Sequence, residues 1–205
     1  MLDAGTKAVP PAVMSQRVFA ALPLSDAVAD QACAEMTGVP GANWRPRENL
    51  HITLCFYGAL EEPVIEELDS ALGQIRLAPF ELQLHGAGRF GGGDPSALWL
   101  GVDPHPALTD LARQCRKAAR QAGVEIEKRA YLPHVTLAYL NRDVELSRVQ
   151  RFEQRLGLFK SEPFVVDRFH LYSSWPRKPH TPNLYRIETE YPLIGQSRTV
   201  FPHTP

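Results

Sequence analysis

Residues 49–57 read NLHITLCFY and residues 134–140 read HVTLAYL, so one four-residue pattern, histidine, aliphatic, threonine, leucine, occurs twice. Both stretches are rich in β-branched and aromatic residues and predict strands. Working outward, each sits in the same order of elements. Before the first copy, Arg17–Leu24 (RVFAALPL) predicts a strand, and Ser25 and Asp26 offer caps for a helix to about Thr37. Residues 38–41 break that helix, and Asn43–Arg47 suggests a short strand. After the first copy, Gly58 marks a strand end, Glu61–Ile75 has helical spacing (Val64, Ile65, Leu68, Leu72), and Phe80–Leu84 alternates like a half-buried strand.

The second half repeats this. Ala97–Val102 predicts a strand, Pro106–Ala122 an amphipathic helix closed by Gly123, and Glu145–Leu156 another helix. Phe164–Tyr172 and Tyr185–Leu193 follow as strands, joined by a long loop over Ser173–Asn183 in which three prolines exclude a helix. Val18 precedes His51 by 33 positions and Leu98 precedes His134 by 36. The expected fold class is therefore α+β: two pseudo-symmetric lobes of antiparallel sheet flanked by helices, with a central cleft. Residues 16–194 form the expected bilobal domain, between a flexible leader over 1–15 and a tail over 195–205.

Composition narrows the class. The chain has 205 residues, 44% hydrophobic and 22% charged, values of a packed globular domain rather than a disordered one. A net charge of −1 leaves no global field for a long nucleic acid, so any contact with RNA is local. Cys33, Cys55 and Cys115 are odd in number and lack metal-ligand spacing, which suits reduced thiols in a cytoplasm. No segment approaches the roughly 18 apolar residues of a membrane span, and no obligate protein partner is evident.

The repeated motif is specific. With 7 histidines and 9 threonines in the chain, composition supplies about 0.3 His-x-Thr tripeptides by chance. On a strand, residues i and i+2 share a face, so His51 and Thr53, like His134 and Thr136, point into the cleft while the aliphatic residues point to the core. One neutral imidazole can take a proton and one imidazolium can give one, because histidine titrates near neutrality. The threonine hydroxyls can donate to phosphoryl oxygens in the transition state. That set suits a phosphodiester and requires no cofactor or metal, since threonine occupies the place where a second ligand would be expected. Cys55 shares the parity of the histidine and can line the cleft, without an acid or elbow to make it a nucleophile. Gly86–Gly91 (GAGRFG) has the letters of a dinucleotide loop, yet the residues after it predict a turn and strand instead of a helix, so it reads as a glycine-rich connection between lobes. Regular alternation turns Tyr139 away from the cleft, and a bulge or the strand end would be needed to return it.

On RVFAALPL, ENLHITLCFYG, PFELQL through GRFGGGDPSALWLGV, AYLPHVTLAYL, FVVDRFHLYSS and YRIETEYPL, the chain resembles the two-histidine phosphoesterase superfamily. Within it, the likeness is to the RNA 2′,3′-cyclic phosphodiesterases, also called 2′-5′ RNA ligases. The resemblance implies hydrolysis of 2′,3′-cyclic phosphate ends of RNA or nucleotides to 2′-phosphates, and a reversible 2′-5′ ligation. It implies His51 and His134 as catalytic, with His51 as acid and His134 as base, and Thr53 and Thr136 as substrate-binding. Arg129 matches a basic residue that often precedes the second motif. Many relatives carry arginine where this chain has Tyr139, so Arg89, Arg129, Arg177 and Lys178 are candidates for the displaced charge. Another small cyclic nucleotide would suit the same four residues, and a nucleotide- or RNA-binding module without turnover is the reading outside catalysis.

Overall fold

The computed structural model describes residues 15–178 and 181–195. The expected leader and tail, apart from Ser15 and Gly195, and Pro179 and His180 of the expected loop lie outside the described residues. The first half comprises β1 (Gln16–Pro23), α1 (Asp26–Ala34), β2 (Ala42–Trp44), β3 (His51–Leu60), α2 (Glu62–Leu72), β4 (Phe80–Leu82) and β5 (Leu84–Phe90). The second comprises β6 (Ala97–Val102), α3 (Pro106–Gln121), β7 (His134–Leu140), α4 (Leu146–Leu156), β8 (Phe164–Val166) and β9 (Arg168–Trp175), before β10 (Leu184–Pro192). The order repeats except that β2 and the final β10 have no counterparts.

Seven strands form one antiparallel sheet in the order β10-β9-β1-β3-β7-β6-β5, β2 adds to β7, and β4 pairs with β8 apart from it. Outward from the β3–β7 seam, β1 then β9 on one side mirror β6 then β5 on the other. This is the α+β, two-lobed duplication that the repeated pattern predicts. Helix α2 packs against α3 and α3 against β3, while α4 covers β5. Beneath the sheet, Val18, Leu22, Ile52, Leu98, Leu100, Val135 and Leu137 are fully buried. Burying a side chain of this size contributes about 1.5–3 kcal/mol, so these alternating positions hold the sheet's register firmly. No helix among the described residues is long and apolar enough to cross a membrane.

Several boundaries differ from expectation. Helix α1 stops at Ala34, where Arg155 takes the carboxylate and, at 2.9 Å, the carbonyl of Glu35. β3 runs past Gly58, whose φ of 83° serves an irregularity in the β1 pairing instead of ending the strand. Ser173–Trp175 belong to β9, not to the following loop, because β10 pairs with all three and β1 with Ser173 and Ser174 from the other side. The glycine-rich run is also a strand, not a connection between lobes: β5 pairs with β6, and a Cβ at Gly88 would overlap the Trp99 ring. The short strand expected over Asn43–Arg47 starts one residue earlier and ends at Trp44, since Pro46 offers no N–H and a 3-10 turn follows at Arg47–Asn49.

Candidate active site

β3 and β7 share a single backbone register pair, Ile52 opposite Val135. Pro133 has no N–H to extend the ladder beyond it. That register sets His51 across from Thr136 and Thr53 across from His134, with the histidines on the diagonal, a separation of roughly 7–8 Å in a regular ladder. All four side chains are half-buried on the face opposite the core. Each histidine therefore faces the other motif's threonine.

The two rings are held alike. His51 Nδ1 lies 2.8 Å from the Asn49 carbonyl and His134 Nδ1 lies 2.7 Å from the Leu132 carbonyl. A carbonyl only accepts, so in both rings Nδ1 carries the hydrogen and a neutral imidazole presents an unprotonated Nε2. Asn49 is itself held, its Nδ2 donating to the Asn183 carbonyl at 3.0 Å, so the loop before β10 steadies the first histidine. Tyr131 spans the seam from the other side, donating to the Thr53 carbonyl at 3.2 Å.

Aromatic rings complete the walls. Phe19 lies 5.0 Å from the His51 ring, and Tyr185 meets it edge-on at 5.5 Å. Phe90 meets His134 edge-on at 4.9 Å, with Trp99 at 6.2 Å. Burial pushes His51 down to about 4, with the charges of Arg45 and His134 adding to the effect against the Asn49 hydrogen bond. His134 is also lowered by burial, against its bond to Leu132. Both rings are thus held towards the neutral form in the unliganded cleft, and they titrate as a pair.

Matching bulges shape both motifs. Ala21 pairs with Thr53 and Ala20 with Cys55, leaving Leu54 as an extra residue; Trp99 pairs with Thr136 and Leu98 with Ala138, leaving Leu137. The first bulge turns the Cys55 side chain towards the core, where burial pushes its thiol up to about 11, although Cys55 still borders the groove beside Thr53. The second returns Tyr139 to the cleft face, 50% exposed, in the position that Phe56 holds at 54% in the other half.

The candidate arginines separate. Arg89 stands opposite buried Leu98 and so on the helix side of the sheet, ion-paired to Glu153 of α4, away from the histidines. Arg129 is at the rim of a groove of about 660 Å³ whose lining includes Thr53, Phe56, Phe90 and His134, and its Nε pairs with Glu127 at 2.9 Å. Arg177 and Lys178 are exposed on the loop after β9. Sequence reasoning missed Arg45, which is 8% exposed. Its available signal was the alternation of Asn43, Trp44 and Arg45, with only the middle residue apolar. Among the described residues no three His, Cys, Asp or Glu side chains converge as a metal-binding set.

A family model described as the 2′-5′ RNA ligase superfamily matches residues 24–174. The RNA 2′,3′-cyclic phosphodiesterase of Archaeoglobus fulgidus is 29% identical over 130 residues, covering 62% of this chain and 73% of that protein. The Bacillus subtilis protein of the same name is 32% identical over 164 residues, covering 76% and 89%. Among solved structures, E. coli LigT complexed with 3′-AMP matches with a TM-score of 0.71 at 24% identity, covering 87% of this chain and 98% of that one, a likeness of fold.

Proposed function

Because the chain belongs to the 2′-5′ RNA ligase superfamily, we propose that it hydrolyses the 2′,3′-cyclic phosphate ends of RNA or nucleotides to 2′-phosphates, as an RNA 2′,3′-cyclic phosphodiesterase. The observation that carries this is the matched pair of imidazoles, each with Nδ1 tied to a backbone carbonyl and each beside a threonine, on one cleft face. In the reaction, water attacks phosphorus as one imidazole takes its proton, the bond from phosphorus to O3′ breaks, and the other, as imidazolium, protonates O3′. The product is the 2′-phosphomonoester, and solvent resets the two protons. An RNA 5′-hydroxyl replacing water in the same step forms a 2′-5′ linkage.

Thr53 and Thr136 donate to the non-bridging oxygens, whose charge redistributes as the P–O3′ bond breaks. The resemblance makes His51 the acid. Both imidazoles are depressed in the unliganded cleft, so the bound phosphodiester anion must raise whichever acts as the acid. The groove of about 660 Å³ is of a size for a nucleoside, with Phe56 and Phe90 available for base stacking. The working unit is the domain over residues 16–194, and a reducing cytoplasm is supported by the unpaired thiols Cys33, Cys55 and Cys115.

The test incubates the protein, with chelator, with an RNA ending in a 2′,3′-cyclic phosphate and identifies the product by phosphorus NMR. A 2′-phosphate is expected. A 3′-phosphate, or no turnover, would overturn the proposal.

A further inference from the structure

Arg45 continues β2 on the cleft face. Trp44 turns to the other side and packs on Phe152 with centroids 6.0 Å apart. The Arg45 N–H donates to the Leu137 carbonyl at 2.8 Å, which ties this residue to β7 immediately after Thr136. The guanidinium carbon then lies 5.3 Å from the centroid of the Tyr139 ring and 5.8 Å from that of Tyr185. Tyr185 in turn packs edge-on against His51 at 5.5 Å. The cation is thus delivered to the histidine pair from a strand outside both motifs.

Among the described residues Arg45 has no counter-ion. Arg45 is 8% exposed, yet among the described residues no carboxylate pairs with it. A guanidinium so far removed from water is costly, and contacts with two tyrosine rings offset only part of that. Other arginines are committed elsewhere: Arg47 to Asp26 and Asp30, Arg89 to Glu153, and Arg116 to the carbonyls of Glu127 and Arg129.

We propose that Arg45, held between Tyr139 and Tyr185, binds the non-bridging oxygens of the substrate phosphate beside His51. Tyr139 then serves the phosphate through Arg45, as a ring that orients the guanidinium. The proposal rests on the phosphodiesterase reading above, and the experiment separates the two.

The full chain is compared with Arg45→Met, which keeps the length of the stem without its charge. Three quantities are measured: hydrolysis of an RNA dinucleotide ending in a 2′,3′-cyclic phosphate, the inhibition constant of inorganic phosphate, and Tm. Arg45→Met should weaken phosphate inhibition about 10- to 100-fold, the range for losing hydrogen bonds from a charged donor, and lower kcat/KM by at least as much. Its Tm should not fall, because an apolar side chain suits a buried site that lacks a counter-ion. Arg45→Lys should recover part of the phosphate affinity, as a point charge without the fork. Phosphate inhibition within 2-fold of wild type in Arg45→Met, or a lower Tm with phosphate affinity intact, would overturn the proposal. Should Arg45→Met fail to fold, Arg45→Gln carries the same expectation and the same refutation. Wild-type protein that binds phosphate through Arg45 but never hydrolyses the cyclic end would refute the phosphodiesterase reading alone.

Discussion

Replacing His51 by asparagine should flatten the loss of stability on mild acidification. The folded protein holds this imidazole at about 4 by burial, with Arg45 and His134 adding to the effect, against an ordinary value near 6.5. Between those values the unfolded chain binds the proton and the folded chain does not, so the folded state loses stability as pH falls from 6.5 towards 4. Linkage over pH 7 to 5 gives a loss of about 2 kcal/mol from this one residue, in a window above the ordinary carboxylate range. Asparagine is the substitution of choice, because its amide nitrogen can still donate to the Asn49 carbonyl as Nδ1 does. Urea unfolding at pH 7 and pH 5 should show a difference smaller by about 2 kcal/mol in His51→Asn than in the wild type. His134, also depressed, keeps a contribution of the same sign in both proteins. Equal losses in the two proteins would refute the claim that His51 is held neutral by its surroundings.

His51→Ala and His134→Ala should each lower kcat by at least about 10²-fold at the proton-transfer step, and near-normal turnover in either would remove that residue from the chemistry. The pH profile of kcat/KM should be bell-shaped with an optimum below 6.5, since the singly protonated pair lies between two depressed values, and an optimum above 7 would contradict this assignment. Turnover should survive complete chelation of divalent metals; loss in chelator restored by zinc or manganese would return the histidines to a ligand role. Gly88→Ala should destabilise by about 1–3 kcal/mol in thermal or urea unfolding, because the new methyl overlaps the Trp99 ring that backs His134, and an unchanged midpoint would show that the ring yields freely.

Much of the site was legible because it is local. A period of two along His51-Ile52-Thr53 and His134-Val135-Thr136 assigns faces whatever the strands pair with, and the duplicated order of elements follows from capping, glycine breaks and apolar spacing. The same period failed one step later. Leu54 and Leu137 are bulged residues, so parity counted past them placed Tyr139 behind the cleft, whereas the paired strands bring it forward and turn most of Cys55 towards the core. A bulge is a mismatch between two strands, and neither strand shows it alone.

By itself, then, the sequence determined which residues could carry proton transfer and that they come as a related pair, because side-chain chemistry and strand alternation are properties of a few consecutive residues. Tertiary structure decided which charges attend them. Arg89 was equally plausible in the chain, but its partner across β6 turned it towards Glu153, whereas Arg45 reached the cleft through a hydrogen bond to Leu137 and two tyrosines, one of them 140 positions further along the chain. The environment of a charge is the sum of contacts among segments distant in sequence, so it comes into being only when the sheet closes.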